Sequence, residues 1–264
     1  MTKWPIFQIA TFSNEPFAGN PTFVLVAETP IGFDVANLVR AQLREQVLAI
    51  IYPGEEAPRV EFVTQNGYHS GPAHSMHAAS WVAFNRLNQA GSTIDLRLAA
   101  GGTRTARRDG DLISVEWTAI PSELSDHRQM IANALGIVPT ETYHSSFGTV
   151  AVVESDRDLL AMVPDSAAIS ALEADTVIVT APSSAVDFVI RVFAPRLGLP
   201  EDPVCGTAHR VIGPYWARRL GRTSLIAQQG SPRGGEVLCH LSGDHILISG
   251  RAVSFLEGTI DCRI

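Results

Sequence analysis

The sequence predicts an α/β (α+β) protein made of two similar halves, and three observations carry that expectation. Short apolar strands alternate with helical stretches along the whole chain, and the theme of the first half returns in the second. Two helix starts echo each other. Ala73-His74 is followed seven residues after the histidine by Trp81, and Ala208-His209 is followed at the same interval by Trp216. In both places a strand carrying a phenylalanine (Phe62, Phe193) precedes a loop and then the helix. Ile120-Pro121-Ser122 reads as the passage between the halves, which divides the chain into residues 1–119 and 120–264.

Taken in order, residues 6–12 and 22–27 read as strands joined by the turn-rich connector Asn14-Glu15-Pro16-Phe17-Ala18-Gly19-Asn20-Pro21. Residues 33–48 carry helical periodicity through Val35, Leu38, Val39, Leu43 and Val47. Strands at 49–52 and 60–64 lead to a loop at 65–72 and a helix at 73–87. Strands return at 94–99, 103–107 and 112–117. The second half has a helix at 126–135 and strands at 149–154, 176–180 and 187–193. An acidic loop then enters a helix at 210–220, whose Gly213-Pro214 weakens its regularity. Strands at 225–228, 236–241 and 246–250 complete the chain.

Composition narrows the function. Of 264 residues, 45% are hydrophobic and 18% charged, enough apolar sequence for a substantial core. A net charge of −7 without a basic block argues against a nucleic-acid partner, and any anion recognition has to be local. The apolar runs are too short and interrupted to span a membrane. Met1-Thr2-Lys3-Trp4-Pro5 enters strand-like sequence at once, unlike a secretory leader. The three cysteines, Cys205, Cys239 and Cys262, are odd in number and widely spaced, so neither a disulfide framework nor a zinc site is expected. A reducing cytoplasm is the expected location.

The stretch richest in chemistry is Glu201-Asp202-Pro203-Val204-Cys205-Gly206-Thr207-Ala208-His209. A strand, an acidic turn, small residues and a helix start make a backbone anion site: glycine permits close approach, and free N–H groups face a negative group. An acid beside such a site suggests proton chemistry next to a bound carboxylate. The plainer reading is a helix N-cap with ordinary turn residues, and the residues alone leave both open.

Several of these motifs together resemble the phenazine-biosynthesis-like (PhzF-like) isomerase family, which has the diaminopimelate-epimerase-like fold. Phe17-Ala18-Gly19-Asn20-Pro21 is similar to its G-N-P element, and Leu43-Arg44-Glu45-Gln46 falls where it has L-S-E-T. Phe62-Val63-Thr64 followed by Pro72-Ala73-His74 falls at F-T-P and a Gly-His pair. Phe193-Ala194-Pro195 and the 201–209 stretch match E-D-P-V-T-G-S-A-H, and 229–235 is similar to Q-x-S-x-R-G-G. The resemblance implies two pseudo-symmetric halves, each a bent, mainly antiparallel sheet wrapped round a central helix, with the active site in the cleft between them. It implies no metal, no organic cofactor, a small carboxylate substrate and a homodimer.

By the same resemblance Glu45 is the acid/base, His74 and Asp202 assist it, and Ala73, Gly206 and Thr207 bind substrate. The residues themselves admit plainer roles: Glu45 as a helix carboxylate paired with Arg40 or Arg44, Asp202 as an N-cap, His74 as a hydrogen-bonded structural histidine. His69, His74 and His77 suggest a metal cluster, but no carboxylate sits at ligand spacing. Two further functions stay open. Racemases of this fold use two thiols; Cys205 stands at the second position and Pro72, which cannot move a proton, at the first, so the open form is an epimerase or racemase using Cys205 with Glu45 or His74 as the opposite base. A non-catalytic binding protein on the same fold is the other. The chain departs from the family at Ala73, where a glycine is usual, at Arg44 and Gln46 beside Glu45, and along Tyr68-His69-Ser70-Gly71-Pro72.

Overall fold

The computed structural model describes residues 2–54, 57–87 and 91–262. They form two compact units, Met1–Glu116 with Ser249–Ile264, and Trp117–Ile248.

In chain order the first unit holds β1 (Thr2–Thr11), β2 (Asn20–Val26), α1 (Phe33–Gln42), β3 (Leu48–Tyr52), β4 (Arg59–Thr64), β5 (Gly67–His69), α2 (Ala73–Arg86), β6 (Thr93–Leu98), β7 (Thr103–Asp109) and most of β8 (Leu112–Thr118). Every residue of β3 is buried because both faces of the sheet are covered. Leu48, Ile50 and Tyr52 join Trp4, Ile6, Leu25, Ala36 and Val39 in a core beneath α1. Ala49 and Ile51 point to the opposite face. There α2 packs against β1, β2, β3, β6 and β7. Ten of its fourteen residues are buried, and a helix enclosed on nearly every side has little room for a polar face. Its core residues Ala73, Ser75, Ala78, Ala79, Ser80 and Ala83 are small enough to let strands approach closely.

The second unit holds β9 (Ser122–Leu124), α3 (Arg128–Leu135), β10 (Glu141–Ser145), β11 (Thr149–Val152), α4 (Asp156–Ala161), α5 (Ser166–Ser170), β12 (Val177–Pro182), β13 (Phe188–Phe193), α6 (His209–Leu220), β14 (Ser224–Gln229), β15 (Gly235–Ser242) and the start of β16 (His245–Cys262). Val177, Val179, Ala181 and Val189 form one core with Ile131, Leu135, Leu159 and Ile169. The alternate residues face α6. Trp216 Nε1 donates to Thr180 Oγ1 at 3.0 Å, and its indole stacks on Phe188.

The two units share a connection rule. An antiparallel hairpin (β1–β2, β10–β11) crosses by way of helix to a parallel neighbour (β3, β12). That strand forms a second hairpin (with β4, β13), and a longer crossover through α2 or α6 returns parallel (β6, β14) into a third hairpin with β7 or β15. In the first unit the order β1-β2-β3-β4-β6-β7-β8-β16 closes, because β16 also pairs with β1 from Thr11 opposite Ala252 to Thr2 opposite Cys262.

That pairing corrects the expected division at 119/120, which leaves residues 249–264 in the second half. The closing strand belongs to the first unit because it pairs antiparallel with β1 on the side opposite β2. The strand expected at 246–250 is accordingly much longer. Its distal part, Arg251–Cys262, lacks the apolar alternation that marks a half-buried strand, and many of its residues are exposed. The helix expected to reach residue 48 ends at Gln42, and β5, β9, β10, α4 and α5 have no counterpart among the expected elements. Among the described residues no helix is long and apolar enough to cross a membrane.

Candidate functional site

Glu45 lies beyond the end of α1, not inside it. Arg44 adopts a left-handed backbone with φ of 59°, uncommon for a residue other than glycine. The Glu45 N–H reaches back to the Arg40 carbonyl at 3.1 Å, a Schellman-type closure. The Arg40 guanidinium completes the clamp by donating to the Glu45 carbonyl oxygen and to Asn37 Oδ1. Arg40 therefore holds the Glu45 backbone, not its carboxylate, and among the described residues no ion pair reaches that carboxylate. Half-buried without a counter-charge, the side chain has its pKa raised by desolvation to about 7.

Ala73 and His74 open α2. The helix begins after Pro72 with no side-chain cap and no acid in its first turn. Ala73 has ordinary helical geometry, so the glycine usual in the family is not needed for a positive φ here. Glycine is needed at Gly71, where φ is 99° and an added Cβ would stand 2.7 Å from the Phe62 ring. His74 is partly exposed, and burial together with the neighbouring His77 and His69 lowers its pKa to about 4. It is therefore neutral at physiological pH. His69 Nδ1 accepts the Gly71 N–H at 3.0 Å. Among the described residues no cluster of His, Cys, Asp and Glu is placed to hold a metal ion.

In the second unit the acidic loop follows β13. Glu201 is a structural acid: its carboxylate forms a two-pronged pair with Arg191 at 2.8 and 2.9 Å, and Arg191 also donates to the Leu159 and Met162 carbonyls. Asp202 is buried and is not the helix cap. Its N–H bonds Val192 O at 2.8 Å, and its carboxylate receives the Cys205 thiol and the Val204 N–H. Burial outweighs both bonds and lifts its pKa to about 6. Cys205 precedes a short 3-10 turn, Gly206–Ala208, that leads directly into α6. Burial and the adjacent Asp202 charge push the Cys205 thiol well above its usual range, so it is protonated at neutral pH. Gly206 is buried and Thr207 half-buried in that turn.

The structure thus gathers the expected residues into two groups. Glu45, Ala73 and His74 belong to the first unit, and Asp202, Gly206 and Thr207 to the second. It also shifts the internal echo. His74 is not the packing counterpart of His209; His77 is. His77 Nδ1 meets the carbonyl of Ala73 at 2.8 Å and His209 Nδ1 meets that of Cys205 at 3.0 Å, each four residues earlier. Each ring packs beside a phenylalanine, Phe12 or Phe188. The aromatic residue seven positions further on is Phe84 or Trp216, both buried, whereas Trp81 lies partly exposed beneath Arg86. Gln229 and Ser231, which bind the acidic loop through its backbone, carry no expected role; their signal in the sequence was the Gln-Gly-Ser run of 229–231.

The family model described as phenazine biosynthesis-like protein matches residues 108–258. An uncharacterized isomerase of Pseudomonas aeruginosa is 34% identical over 253 residues, covering 96% of this chain and 97% of its own. A crystal structure of a phenazine biosynthesis protein of the PhzF family from Enterococcus faecalis superposes with a TM-score of 0.94 at 29% identity, over 99% of this chain and 100% of that one. A predicted epimerase from Pseudomonas aeruginosa shares the fold, with a TM-score of 0.71 at 16% identity over 98% and 99% of the two chains.

Proposed function

Because the chain belongs to the phenazine biosynthesis-like family, we propose that it is a cofactor-independent isomerase that moves a proton on a small carboxylate substrate. Glu45 is the acid and base. The observation that carries this reading is the Glu45 carboxylate itself: half-buried, without an ion-pair partner among the described residues, and raised to about 7. A group poised near the working pH both accepts and returns a proton with little penalty in either direction. Neutral His74 orients or relays that proton. Asp202 holds a polar group of the substrate, and Gly206 and Thr207 bind its carboxylate. The name isomerase borne by the Pseudomonas aeruginosa relative supports the reaction class.

The state of Cys205 weighs against a thiol-based epimerase. A protonated, buried thiol that donates to Asp202 is a poor base, and Pro72 supplies no opposite acid. The test is solvent deuterium exchange into a candidate substrate, comparing wild type with Glu45→Gln. Exchange that persists at the wild-type rate in the variant overturns the proposal.

A further inference from the structure

We infer that Gln229 is a positioning residue that locks the loop from Asp202 to Cys205 in its working shape, so that the Asp202 carboxylate and the amides beginning at Gly206 keep a fixed relation. The inference rests on the isomerase reading above for its functional consequence, but its geometry stands alone. Gln229 is the last residue of β14, opposite Ile190 of β13 and Gly235 of β15, and its exposure is 0%. Its Oε1 accepts the Cys205 N–H at 2.8 Å, and its Nε2 donates to the Asp202 carbonyl at 2.5 Å.

One side-chain amide therefore ties both ends of a four-residue segment. Flipping it would set NH2 against N–H and oxygen against oxygen, so the partners fix its orientation. Ser231 adds a third tie, donating to Pro203 O at 2.5 Å, and the Asp202 N–H is held on the other side by Val192 O. Buried backbone groups that lose such partners find no water in exchange, so the Asp202 carbonyl and the Cys205 N–H depend on this one side chain. The Asp202 carboxylate, the Cys205 thiol that donates to it and the turn at Gly206 all hang on the tied backbone. None of the groups Gln229 touches is a reacting atom; it acts through the loop.

The test uses the full chain and needs no substrate. Peptide-mapped alkylation with a small neutral reagent reports how often Cys205 is uncovered, and buried Cys239 on β15 serves as the internal control. In Gln229→Leu, which removes both ties, Cys205 labelling rises at least about tenfold over wild type while Cys239 labelling is unchanged. An unchanged Cys205 rate overturns the inference. So does a parallel rise at both cysteines, which reports general loss of fold.

Gln229→Glu supplies a pH signature that a purely structural contribution lacks. Protonated, the new carboxyl both donates and accepts as the amide does. Ionised, it only accepts. Cys205 labelling relative to wild type at the same pH is near one in acid and climbs toward the Gln229→Leu value as pH rises; a flat ratio overturns the two-tie account. Once a substrate is in hand, kcat of Gln229→Glu relative to wild type, measured on folded enzyme, falls along the same pH curve, and a kcat indifferent to a loosened loop overturns the positioning role. Failure of the Glu45→Gln exchange test leaves the labelling result readable, so the two ideas fail separately.

Discussion

Replacing Glu45 with Gln tests the site through stability as well as activity. The carboxyl titrates near 4.5 when unfolded and at about 7 when folded, because desolvation disfavours its charge. A raised folded pKa means that the folded chain binds a proton the unfolded chain has released. This contribution is fully present below about pH 4.5, declines as pH rises through about 7, and is gone above that. At about 1.4 kcal/mol per pH unit, the full shift has an upper bound of about 3.5 kcal/mol. The side chain keeps some contact with solvent, so roughly 1–2 kcal/mol is the expected size after screening. Gln keeps the shape and never ionises. Denaturant unfolding at pH 4 and pH 8 is the assay. The variant should gain about 1–2 kcal/mol on wild type between those pH values. Proton exchange on a substrate should drop on the order of 10²–10⁴-fold. A stability difference that stays flat with pH would show that the carboxylate is solvated, and the argument for a poised acid/base would fail with it.

Other expectations follow from the same geometry. Cys205→Ser keeps a donor to Asp202, so deuterium exchange should stay within about threefold of wild type; abolished exchange would instead assign the chemistry to the thiol. Arg191→Met strands the Glu201 carboxylate in a largely enclosed place and should cost about 3–5 kcal/mol in denaturant unfolding, with much of the loss recovered when Glu201→Gln is added. His209 is buried, its Nε2 has no hydrogen-bond partner among the described residues, and its pKa is lowered by burial to about 4. A depressed histidine pKa gives stability that is present above about pH 6.5 and lost as pH falls toward 4. The advantage of wild type over His209→Gln should therefore shrink across that window in urea titrations.

The strands that were legible in the sequence are those whose residues face packed protein. β3, β12 and β13 announce themselves as apolar runs because both of their faces are covered. The distal part of β16 did not, since its stability comes from backbone pairing with β1 while its side chains meet solvent. The early end of α1 was equally hidden. Leu43 and Val47 continue the helical period, and the stop depends on Arg44 turning left-handed under the Arg40 clamp, without the glycine that usually marks such an end. Glu45 and His74 were singled out through motif resemblance alone, whereas Asp202 was also marked by its place in the acidic loop before a helix start. Their perturbed titration depends on burial, which spacing along the chain does not encode.

The repeated connection rule explains why two helix starts echo and why their chemistry differs. α2 and α6 each follow an antiparallel hairpin and lead to a parallel strand, so each presents its first turn at the same point of its own unit. In each, a buried histidine pins that turn by bonding a carbonyl four residues back. The pins are the shared part, and they are structural: both rings are enclosed, and the one on α6 titrates only at about 4. The side chains proposed to carry the reaction stand outside the shared pattern. His74 precedes its pin by three residues, whereas Asp202 sits on a loop tied down by Gln229 and Ser231. Glu45 belongs to the other crossover, where the matching connection carries α4 and α5 instead. The shared connection rule supplies two helix starts of the same build, each held by its own histidine. In the proposed reading, acid, base and anchor differ because each copy added different residues around its own pin.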